Sequence, residues 1–230
     1  MNRLEAELQR LFLLPGQSRE DAAARALVLE VAGPGAWDEL AKAWQGVQAD
    51  LQLPAPAIAV SGSDAYQLWF SVAEPVPAAQ ALAFLDALEK RYLGEVPAER
   101  IRTSPSATPG AKISRVPPVQ VAEGRWSAFV TVDLAAMFAD EHWLDLPPTP
   151  DAQADVLSRL QCTPPADLLR ATERLACAAV PGSEGAAQGA GASQDPRSFL
   201  LGVMNDRSVA LPLRIEAAKA LLPYAGTQRP

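Results

Sequence analysis

Between Leu53 and Pro77 the chain reads LPAPAIAVSGSDAYQLWFSVAEPVP, and this segment restricts the fold more than any other. Ala57-Ile58-Ala59-Val60 and Tyr66-Gln67-Leu68-Trp69-Phe70-Ser71-Val72 are apolar runs of strand length, joined by Ser61-Gly62-Ser63-Asp64. Two such runs around a tight glycine turn predict a β-hairpin, so the chain contains a sheet. Proline brackets the hairpin at both ends, at Pro54 and Pro56 before it and at Pro75 and Pro77 after it.

The flanking segments alternate between helix and strand. Residues 2–14 predict an amphipathic helix with Leu4, Leu8 and Leu11 on one stripe, ended by Pro15-Gly16. Residues 26–31 predict a buried strand with a single acid, Glu30, and Gly33-Pro34-Gly35 turns the chain after it. Trp37, Leu40, Trp44, Val47 and Leu51 recur at three and four residues, which predicts a helix over 36–51 with one apolar seam. A further helix is expected over 78–93, then a proline-rich surface segment over 94–125 with a short strand or two. A last strand over 128–132 leads through Asp133 into residues 134–138. After Pro147-Pro148 the pattern is helical only, at 151–161 and 165–179. Strands separated by helices, together with a hairpin, predict an α/β fold: a small mixed sheet covered by helices, followed by a helical C-terminal extension.

The expected divisions are an α/β domain over 1–146, a helical extension over 147–180, a linker over 181–195 and a helical tail over 196–230. The linker has four glycines and no large apolar side chain, too little to offset the entropy of ordering it. The tail carries two helical stretches, 196–206 and 211–222. Its Arg214-Ile215-Glu216-Ala217-Ala218-Lys219-Ala220-Leu221-Leu222-Pro223-Tyr224 is similar to tails of phage-derived proteins, small terminase-like proteins among them, and loosely to one HEAT-type helical pair. A single pair cannot bury its apolar face alone, so Leu213, Ala217, Ala220 and Leu221 need a partner. A protein partner for these helices is therefore expected.

Several chemistries are set aside by the residues available. The only histidine is His142, and the two cysteines, Cys162 and Cys177, have no close Cys or His neighbours in sequence, so a zinc site lacks its ligands. No G-x-S-x-G elbow is present to supply a nucleophile for His142. Glu5, Glu7 and Arg10 among the first leucines are wrong for a secretion signal, and no apolar run reaches the roughly 18–20 residues of a membrane span, which predicts a cytoplasmic protein without a membrane partner. The net charge of −7 argues against broad duplex binding, which requires phosphates to be neutralised. From Lys90 to Arg125, however, seven basic residues face three acids, a local balance of +4. A phosphate-facing patch within an acidic protein is the expectation.

The strand, Ser61-Gly62 turn, second strand with an inward polar residue, and Glu74-Pro75-Val76-Pro77 exit together resemble the second motif region of primase-polymerase domains of the archaeo-eukaryotic primase superfamily. The resemblance runs from Ala26 to Phe138, about half of the chain. It implies that acids on an early and a late strand hold divalent metal and that the hairpin contacts a nucleotide. Carried onto this chain, it assigns Glu30 and Asp133 as catalytic and metal-binding acids, holding one hydrated Mg²⁺ or Mn²⁺ weakly. It assigns Ser61, Gly62 and Gln67 to nucleotide binding, and Arg102 and Arg115 from the basic segment join them. The chain departs from the family pattern at Ala32, where a second acid is expected, and at Gln67, where a histidine is. Two-metal phosphoryl transfer needs several carboxylates, so these departures imply a degenerate active site.

The reading is a nucleotide- or single-stranded nucleic-acid-binding accessory protein of mobile-element or phage-derived type, connected with DNA replication. Two alternatives stand beside it. One is a non-catalytic interaction scaffold acting through its C-terminal helices. The other is an active metal-dependent nucleotidyltransferase, for which Asp38 or Asp64 supplies the missing carboxylate.

Overall fold

A computed structural model of the protein describes residues 2–13, 23–106, 115–138 and 141–178. The chain divides into two units, Met1–Pro181 and Gly182–Pro230. The expected linker and the two tail helices lie outside the described residues.

The elements follow the hydrophobic pattern closely. In chain order they are α1 (Arg3–Leu11), β1 (Ala23–Ala32), α2 (Ala36–Ala49), β2 (Ala57–Val60), β3 (Ala65–Pro77) and α3 (Ala78–Tyr92). The basic segment supplies β4 (Ile101–Ser104) and two short strands, β5 (Gln120–Ala122) and β6 (Arg125–Trp126). Then come β7 (Ala128–Val130), a single turn α4 (Val132–Ala135), α5 (Pro150–Ser158) and α6 (Pro165–Ala178). Local chemistry fixes several ends. Asn2 and Glu5 form a reciprocal capping box at the start of α1, and Thr149 caps α5 ahead of Pro150.

The α/β class is observed, with one feature inside it that the sequence does not announce. The five-stranded sheet has the order β4-β1-β3-β2-β7, and every neighbouring pair is antiparallel. The helix α2 does connect two strands of the same direction, because β1 and β2 both run opposite to β3. The long strand β3 inserts between them, so the parallel neighbours of a mixed sheet never form.

The pleat sends alternate residues to opposite faces. Leu27, Leu29 and Val31 of β1, with Tyr66, Leu68, Phe70 and Val72 of β3, bury one face under α2, α3 and α6. The other face carries Val28, Ala57, Ala59, Trp69 and Phe129, covered by Leu4, Leu11 and Phe12 from the α1 region and by Ala154 and Leu157 of α5. Residues 147–178, the expected helical extension, belong to the same unit as the sheet. Their α5 and α6 close opposite faces of the sheet within the first unit. Among the described residues no helix is long and apolar enough to cross a membrane.

Candidate functional site

The α1–α5 cover reaches across only part of its face. Where it ends, one cross-strand row turns polar. Glu30 on β1 stands opposite Arg102 on β4 and opposite Gln67 on β3, and Gln67 stands opposite Ala59, itself opposite Phe129. Directly opposed residues share a face, so this row runs from an exposed arginine at the sheet edge to a buried aromatic at the far side. Its polar half forms the floor of a cleft of about 420 Å³.

Five of the seven residues singled out in the sequence line this cleft: Glu30, Ser61, Gln67, Arg102 and Arg115. Gly62 supports it from behind. The Gly62 N–H donates to the carbonyl of His142 at 2.9 Å, and its φ of +82° lies in the left-handed region. A Cβ there would stand 2.6 Å from Val121 Cγ2 and 2.9 Å from the Ser127 nitrogen, two residues of the opposing wall. Glycine is thus needed twice at this position, for its backbone angle and for the close approach of that wall.

The wall is a small hairpin of β5 and β6, held down by its own polar contacts. Trp126 and Leu144 exchange backbone hydrogen bonds at 2.9 and 3.0 Å. Ser127 Oγ accepts from the Val119 N–H at 2.9 Å and donates to the Val119 carbonyl at 3.1 Å. Across the cleft, Ser61 Oγ accepts the N–H groups of Ser63 and Ala65 at 3.2 and 3.0 Å, which fixes the turn between β2 and β3.

Glu30 is 8% exposed, and burial of a charge requires partners. It has two. Gln67 Nε2 donates to one carboxylate oxygen at 2.6 Å, and an Arg102 guanidinium nitrogen donates to the other at 2.9 Å. The Gln67 carbonyl in turn accepts the indole N–H of Trp69 at 2.8 Å, so its amide orientation is set by donors and acceptors on both sides. Arg102 reaches this pair from solvent, its side chain 62% exposed. Arg115 is exposed on the cleft and forms no ion pair among the described residues.

The remaining predicted positions fall elsewhere. Asp133 is exposed on the first turn of α4 and is not among the described residues that line the cleft. The donor set does not fit a divalent cation. Both Glu30 oxygens already accept hydrogen bonds, one from a guanidinium, and the described residues contain no cluster of three Asp, Glu, His or Cys side chains. Arg100, part of the basic segment, is also committed: its guanidinium donates to the carbonyls of Ala32 and Pro34, both at 2.7 Å, and clasps the Gly33-Pro34-Gly35 turn.

The sequence reading missed the β5–β6 wall and its residues Val119, Gln120, Val121 and Ser127. The available signal was Glu123-Gly124 between two short polar-apolar runs, weak for strands of three and two residues. As assembled, the cleft offers two guanidinium groups and one carboxylate, a net +1, together with the hydroxyls of Ser61 and Ser63. Such a surface suits an anion that also accepts neutral hydrogen bonds. Compared with known proteins, the chain matches no family model and no curated protein.

Proposed function

We propose that the cleft binds the phosphate of a nucleotide, or of a single-stranded nucleic acid, and that the protein acts as a binding accessory without transferring the phosphoryl group. One observation carries this reading: Glu30, Ser61, Gln67, Arg102 and Arg115, spread over 86 residues of sequence, line a single cleft. Arg102 and Arg115 supply planar forks suited to phosphate oxygens. The juxtaposition of the acid-bearing β1 with the Ser61-Gly62 hairpin supports a degenerate primase-polymerase-like arrangement, and the commitment of Glu30 to Arg102 and Gln67 supports loss of the metal chemistry.

Equilibrium titration with ATP and with a short oligothymidylate at low salt tests the reading. Binding of either should weaken as salt rises, as expected where phosphate contacts dominate. Arg115→Ala should reduce affinity by roughly tenfold, the worth of one charge-assisted contact, without loss of fold. Absence of binding by both ligands, or equal binding by wild type and Arg115→Ala, would remove the cleft as a phosphate site.

A further inference from the structure

The Glu30–Arg102 pair is asymmetric. The carboxylate is fixed at the cleft floor and nearly buried, whereas the guanidinium approaches from the rim on an exposed stem. Gln67 anchors Glu30 independently of Arg102, and the Trp69 indole anchors Gln67. If Arg102 turns toward another anion, Glu30 therefore keeps a donor and stays in place. Its negative charge then faces the incoming ligand from the floor of the same cavity.

Resting on the phosphate-binding reading above, we propose that Glu30 is the internal counter-ion of Arg102, attenuating anion affinity, and that the cleft takes phosphate without a divalent metal. Two consequences separate this role from that of a metal ligand. Removing the Glu30 charge raises the cleft from net +1 to net +2 and releases Arg102, so anion binding tightens. Removing a metal-ligating carboxylate would do the opposite. The arginines also act on the bare phosphate charge, so Mg²⁺ is not required for binding.

The isosteric Glu30→Gln variant suits the test. Its amide oxygen can still accept from Gln67, while its NH₂ faces Arg102 donor to donor and cannot hold it. The probe is adenosine 5′-monophosphate, followed by calorimetry once with a chelator and once with Mg²⁺. Wild type should bind equally under both conditions, and Glu30→Gln should bind about tenfold more tightly, the gain expected from one released charge-assisted interaction. The wild-type comparison needs no variant, and thermal unfolding checks that Glu30→Gln is folded. Binding by wild type only with Mg²⁺, or unchanged or weaker binding by folded Glu30→Gln, overturns the counter-ion role. If that happens while Arg115→Ala still weakens binding, the phosphate cleft stands and only this inference fails. If neither wild type nor Glu30→Gln binds under either condition, both fall together.

Discussion

The two faces of the central sheet are cut from the same strands yet end in different states. On β1, Leu27, Leu29 and Val31 share one core with α2, α3 and α6, and that face is apolar throughout its packed region. One residue out of step, Val28 and Ala32 flank Glu30 on the opposite face, and on β3 Gln67 stands beside Trp69 in the same way. The closed face is continued by three helices. The other is covered only where Leu4, Leu11, Phe12, Ala154 and Leu157 reach, and the polar row begins beyond them. The difference teaches that an open site can be written into a strand by one polar residue at alternate spacing, since the neighbouring residues belong to the other face.

The comparison can be broken most severely on the closed face. Leu68 is fully buried there, and Leu68→Ala should cost about 2–5 kcal/mol through lost burial and a residual cavity. Denaturant unfolding measures it, and a cost below about 1 kcal/mol would mean that this core is loosely packed.

On the other face the vulnerable point is polar. β7 is an edge strand whose Phe129 N–H donates to Gln153 Oε1 at 2.8 Å, while Gln153 Nε2 donates back to the Phe129 carbonyl at 3.0 Å. Both residues are buried, so a side chain of α5 supplies the hydrogen bonds that an additional strand would. Gln153→Ala should cost about 1–3 kcal/mol, because it leaves buried backbone groups without partners. Hydrogen exchange at the Phe129 amide should accelerate in the variant; unchanged protection would show that the edge is held by something else.

A smaller effect sharpens the contrast at high pH. Burial on the closed face pushes the Tyr66 phenol from 10.0 up to about 12, with nearby Asp38 adding to the shift, and its hydroxyl donates to the Ala135 carbonyl. Because the folded value lies above the unfolded one, this contribution is complete below pH 10.0 and is lost as pH rises toward 12. Tyr92, half-buried and donating to Asp50 at 2.9 Å, is raised to about 12 for the same leading reason. Tyr66→Phe should lessen the alkaline loss of stability between pH 10 and 12. An alkaline profile identical to wild type would assign that loss to other groups.

The fold was legible in sequence wherever side-chain period and turn chemistry agreed. The hairpin from Ala57 to Val72, the seam of α2 and the helices α5 and α6 all follow this rule. Strand order was not legible, because helix α2 joins two like-directed strands whether or not a third lies between them. Of the site, Glu30 and Gln67 were visible as polar breaks in apolar strands, and Arg102 and Arg115 as members of a basic run. Their grouping depends on the register that sets Glu30 opposite both Arg102 and Gln67, which no local pattern encodes. Asp133 was chosen for its place after a strand, but α4 begins at Val132, and its side chain belongs to a helical first turn instead of the sheet row.

The most direct test of the phosphate cleft is a nuclear magnetic resonance titration of the full chain with ATP, following the arginine Nε–H and tryptophan indole signals. Arg102 and Arg115 should shift together and saturably. The Trp69 indole, linked to the floor through Gln67 and Glu30, should follow them more weakly. Arg100, bound to the carbonyls of Ala32 and Pro34, should remain still. Saturable shifts that spare Arg102 and Arg115, or no shifts at any of these groups at millimolar ATP, would contradict the account.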